Sequence, residues 1–110
     1  SDLPAVNIKE LDNLFEIDLA APGKKKSDFE IEVEDGILSI SSSIEEKEIT
    51  DEEKFTRLEF RYNSFKRNFT IPDSVDPTNV EAQYSDGVLK VCLLKRKEAL
   101  PQPKKLIKVR

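Results

Sequence analysis

Histidine, methionine and tryptophan are absent from this chain of 110 residues, and it holds one cysteine and three glycines. Each shortage closes a class of function. Without histidine the usual general base near neutral pH is missing. The lone thiol, Cys92, cannot close an internal disulfide; it falls mid-strand without an activating partner and reads as a small hydrophobe of the core or an interface. Gly23, Gly36 and Gly87 all fall in turns, so no glycine-rich phosphate cradle is present and ATP is not expected as a cofactor. No enzyme activity, cofactor or metal is expected. Long apolar runs are missing too, which argues against a signal peptide or membrane span and for a reducing, cytoplasmic setting. The net charge of -4 leaves no basic body for nucleic acid or an anionic membrane.

What is present is charge, at 36% of residues, and 37% apolar residues, enough for one domain with one modest core. The sequence opens Ser1-Asp2-Leu3-Pro4 without methionine, so residues 1–3 read as the remnant of an N-terminal arm, residues 4–96 as the folded domain and residues 97–110 as a flexible tail. Apolar side chains alternate with polar ones in segment after segment, the period of half-buried strands. Val6 and Ile8 mark the first strand, and Phe15, Ile17 and Leu19 the second, which stops at Ala21-Pro22-Gly23. Residues 24–28 read as a connecting loop. Phe29, Ile31 and Val33 alternate with Glu30, Glu32 and Glu34, and Asp35-Gly36 turns the chain into Ile37, Leu38 and Ile40. After a serine-rich and charged stretch at residues 41–54, Phe55, Arg57, Leu58, Glu59 and Phe60 resume a strand-like pattern. Phe65, Arg67, Phe69 and Ile71 follow and stop at Pro72; residues 73–79 read as a loop containing Pro77. Val80, Ala82 and Tyr84, then Asp86-Gly87 and Val88 to Leu94, complete about eight strands, the count of a β-sandwich.

Three features ask for a partner. The acidic run of residues 45–53 lacks the alternating ligands and central glycine of a calcium loop; it is either a solvated loop tip or the carrier of residues 55–60 to a neighbour's sheet edge. Arg67 shares parity with Phe65, Phe69 and Ile71 and so points to an apolar side. Its guanidinium either snorkels out to solvent or meets a carboxylate at a subunit interface. Ile107 and Val109 sit in a basic tail cut off from the core by Pro101 and Pro103. Burying both gives about 3–6 kcal/mol gross, before the cost of ordering the tail. At about 3.3 Å per residue the segment after Leu94 reaches roughly 40 Å, enough to cross onto a neighbouring chain.

Taken in order, these segments resemble the α-crystallin domain of small heat-shock proteins of the bacterial and plant type. Ala21-Pro22-Gly23 with Asp28 to Val33 is similar to the family's first signature. Phe65 to Pro72 is similar to its F-x-R-x-F-x-L-P segment, and Ala82 to Leu89 to its A-x-x-x-D/N-G-V-L signature. Ile107-Lys108-Val109 is similar to its C-terminal I-x-I/V anchor, while Leu94 stands where many members have proline. The resemblance implies an immunoglobulin-like antiparallel β-sandwich whose long-loop strand, with Phe55, Arg57, Leu58, Glu59 and Phe60, exchanges with a neighbour's first strand around Val6 and Ile8. Arg67 falls at the family's characteristic arginine. The anchor residues Ile107 and Val109 would dock between the strands bearing Phe29, Ile31, Val33 and Val80, Ala82. It further implies an ATP-independent holdase that self-associates as dimers and larger homo-oligomers, binds partly unfolded client proteins and hands them to ATP-dependent chaperones. The alternative is a monomeric co-chaperone or adaptor sandwich binding one folded partner, which needs neither the long loop nor the I-x-V tail.

Overall fold

Both Asp-Gly turns take the backbone that a two-residue hairpin demands. In the computed structural model, which describes residues 3–43 and 64–110, Asp35 and Gly36 have φ of 50° and 75°, and Asp86 and Gly87 of 51° and 77°. Two successive positive φ values match the right-handed twist of the strands they join. The first turn joins β3 (Phe29–Glu34) to β4 (Ile37–Ser42), with Glu34 opposite Ile37. The second joins β6 (Val75–Ser85) to β7 (Val88–Lys95), with Ser85 opposite Val88. The remaining strands are β1 (Val6–Glu10), β2 (Leu14–Ala20) and β5 (Phe65–Thr70).

The strands form two antiparallel sheets, ordered β1-β2-β7-β6 and β3-β4-β5. Alternation aims one face of each at the other. Ile17 and Leu19 of β2 and Leu89, Val91 and Leu93 of β7 meet Leu38 and Ile40 of β4, with Ile71 and Val75 closing the core. Burial of such a side chain contributes about 1.5–3 kcal/mol. The all-β immunoglobulin-like sandwich expected from the sequence is therefore present. Ser42 ends β4 directly opposite Phe65, which starts β5. The intervening chain thus leaves and re-enters the sheet at one place; the strand expected at residues 55–60 and the acidic run at 45–53 lie outside the described residues.

Residues 73–79 depart from the sequence reading. The strand β6 already begins at Val75, which is 1% exposed and part of the core, and its register with β7 breaks between Val75 and Val80. Pro77 falls inside that break, on an edge strand, where a missing donor costs no ladder bond. Asp76 caps the irregularity by accepting hydrogen bonds from the Thr78 N–H at 2.9 Å and hydroxyl at 2.7 Å. The expected loop at residues 24–28 contains a 3-10 turn, Lys26–Asp28, held by the Asp28 carboxylate accepting from the Lys25 N–H at 2.8 Å.

Two distant sequence motifs meet in space. The Ala21 N–H donates to the Gly87 carbonyl at 2.8 Å. A Cβ on Gly87 would stand 3.4 Å from the Pro22 Cα, besides requiring an unfavourable φ. The turn after β2 and the β6–β7 hairpin thus rest on each other and fix where the two sheets begin to part.

Candidate functional site

The sheets part along the free edges of β3 and β6. Among the described residues no strand lies beyond these edges, so the inward residues Phe29 and Ile31 stay half-buried and Ala82 exposed. Between them runs an open groove of about 300 Å³ lined by Lys26, Phe29, Ile31, Ala82, Gln83, Tyr84 and Leu89. Phe29 and Tyr84 face each other across one end with ring centroids 4.9 Å apart, and Phe65 backs Phe29 at 6.5 Å. The Tyr84 hydroxyl donates to the Ala21 carbonyl at 2.6 Å and accepts from the Lys24 N–H at 3.3 Å. Its ring is therefore a fixed wall, tied at its polar end to the β2–β3 connection.

Of the expected groove residues, Phe29, Ile31 and Ala82 come together. Val33 lies outside the lining at 36% exposure, and Val80 packs half-buried against the core. Sequence reading did not select Tyr84, which carried the right parity, nor Leu89, which forms the floor. Lys26 and Gln83 had no sequence signal, since their position depends on the 3-10 turn and the facing of the sheets.

The tail leaves from a 3-10 turn at Lys97–Ala99 and is exposed from Pro101 to Arg110. Leu106, Ile107 and Val109 are 94%, 86% and 94% exposed. The anchor residues thus lie out of this protomer's own groove.

At the far margin, β1 edges the four-stranded sheet. Val6 packs half-buried on the core while Ile8 is 58% exposed. Arg67 points to the same side as Phe65 and Phe69, half-buried, with its guanidinium 5.5 Å from the Phe69 ring centre and donating to the Pro4 carbonyl at 3.3 Å. Its contacts among the described residues are thus a carbonyl and an aromatic face. Phe55, Arg57, Leu58, Glu59 and Phe60 lie outside the described residues.

The outer face of this sheet is polar. Desolvation pushes the Glu16 carboxyl up, but its hydrogen bond and charge pairing with Lys9 at 3.3 Å, helped by Lys90 at 3.9 Å, hold it below the ordinary value. Cys92 stands in register between Glu16 and Glu81 on that face, not in the core. Desolvation, then the charge of Glu16, pushes its thiol up. No group of three or more potential metal ligands occurs among the described residues, and none of their helices is long and apolar enough to cross a membrane.

An immunoglobulin-like sandwich with an open groove between two free edges, a basic tail bearing spaced aliphatics and a half-buried arginine on β5 defines the class of small heat shock proteins. The profile of the Hsp20/alpha crystallin family matches residues 7–110. Heat shock protein 16 of Schizosaccharomyces pombe is 33% identical over 109 residues, covering 97% of this chain and 75% of that protein. Spore protein SP21 of Stigmatella aurantiaca is 33% identical, covering 91% and 59%. The small heat-shock protein of Xylella fastidiosa, solved as a distinct high order structure, superposes with a TM-score of 0.71 at 35% identity, over 99% of this chain and 98% of that one. The chain belongs to the Hsp20/alpha crystallin family. It spans 59% and 75% of the length of the two relatives just named.

Proposed function

We infer that this protein is an ATP-independent holdase, which captures partly unfolded proteins on apolar surface that its own copies cover at rest. The observation that carries this reading is the pairing of an open apolar groove at Phe29, Ile31, Ala82 and Tyr84 with a tail whose Ile107 and Val109 are almost fully exposed. A groove and a tail segment bearing spaced aliphatics on one chain, apart within the protomer, suit exchange between protomers. Each such link is weak, and several in one particle reinforce each other through effective concentration. Heat or client competition then shifts the population toward open grooves, provided clients or temperature favour the undocked state. Dimers form by pairing of residues 55–60 with a neighbour's β1 edge at Val6 and Ile8, with Arg67 near that seam. The setting is cytoplasmic, and captured clients pass to ATP-dependent chaperones.

The test is a heated model client followed by light scattering with no nucleotide present. Equimolar protein is expected to keep the solution clear, and ATP is expected to change nothing. A client that clouds at the same rate with and without the protein would sink the reading.

A further inference from the structure

Beside the groove, the outer face of the free strand β3 carries charge of one sign. On β3, Glu30, Glu32 and Glu34 alternate with Ile31 and Val33 and so fall on the face turned away from the groove, and on β6 Glu81 falls on the outer face beside Cys92. All four glutamates are exposed, and none takes part in an ion pair among the described residues. Lys26 is the cation of the groove lining, at the Phe29 end. The tail has the opposite sign: Lys104, Lys105, Lys108 and Arg110 bracket Ile107 and Val109. In an extended chain Lys108 and Arg110 alternate with the two aliphatics. The glutamates of β3 alternate with Ile31 and Val33 at the same two-residue step of roughly 6.6 Å.

We propose that the tail of a second copy lies extended along the free edge of β3 as a salt-sensitive occupant: its aliphatics turn into the groove while Lys108 and Arg110, on the opposite parity, meet the outer-face glutamates of β3, so ionic strength sets how firmly grooves are closed. This rests on the tail-docking reading above. The charges are solvent-exposed, so each pairing is weak alone and is screened once the Debye length shrinks from about 10 Å at 0.1 M salt to about 3 Å at 1 M. The same outer-face glutamates discriminate among occupants, because an acidic segment with equal aliphatics meets repulsion where the tail meets attraction.

The experiment uses the full chain carrying Ile107→Ala and Val109→Ala, which leaves its groove intact and removes its own tail as a competitor. The probe is a fluorescent peptide of residues 101–110, followed by anisotropy in 0.05 M and 0.5 M sodium chloride. Binding is expected to weaken roughly tenfold across that range, as for a few screened surface pairs acting together. Glu32→Gln with Glu34→Gln in the receptor should weaken binding at low salt and flatten the dependence; the unsubstituted receptor's salt titration stands without that variant. A peptide that binds with the same affinity at both salts overturns the electrostatic inference and leaves docking intact. No binding at either salt overturns docking itself. Equal binding by a peptide with both aliphatics changed to alanine would mean charge adhesion without the groove, and also overturns the proposal.

Discussion

Cys92 illustrates how one side chain's surroundings decide its chemistry. It alternates with Leu89, Val91 and Leu93 along β7, which puts it on the outer face, flanked across the ladder by Glu16 and Glu81. Desolvation first, and the Glu16 carboxylate second, disfavour the thiolate. Since the thiolate is the reactive form, the folded protein should react with a disulfide reagent at pH 8 several-fold more slowly than the same chain in guanidinium chloride. The rise of rate with pH should be displaced upward by folding. A folded-state rate equal to the unfolded one would remove the argument. Of the two places expected for it, core or interface, the core is ruled out, because parity, already readable from Lys90 and Cys92, sends this residue to the outer face.

Among the elements, the β2–β3 connection matters most to the groove, because Tyr84 of β6 is bonded to it at Ala21 and Lys24. Tyr84→Phe keeps the ring and removes both bonds. It should cost about 1 kcal/mol or somewhat more, since the Ala21 carbonyl loses its partner in a half-buried place. In a domain of this size that is a fall of about 4–8 °C in Tm, measurable by circular dichroism. An unchanged melting temperature would show that the connection is held by the Ala21–Gly87 backbone bond alone. Much of this architecture was legible beforehand. Period-two alternation and the two Asp-Gly turns marked β2, β3, β4, β5 and β7, and Phe29, Ile31 and Ala82 followed from parity together with family resemblance. What escaped was the start of β6, because Pro77 and the register break disguise an edge strand as a loop. Lys26 and Gln83 escaped for another reason: alternation tells which way a side chain points on its own strand, not how far apart two sheets stand at their margins.

At the scale of the whole molecule, the proposed assembly turns on the separation of tail and groove within one protomer. Removing residues 106–110 deletes Leu106, Ile107 and Val109, which contact little of their own protomer, so the melting temperature should stay within about 2 °C, as for surface changes of roughly 0.5 kcal/mol or less. The mass by size-exclusion with light scattering should fall toward the dimer. An unchanged mass would count against tail docking while leaving the sandwich untouched. The break in β6 bears on a different hazard. A straight, unpaired strand at a sheet margin is a template on which fibrils nucleate. Here Pro77 and the slipped register leave only the stretch from Val80 to Ser85 regular, so this margin is long enough to clasp a short peptide and too interrupted to seed an endless ribbon.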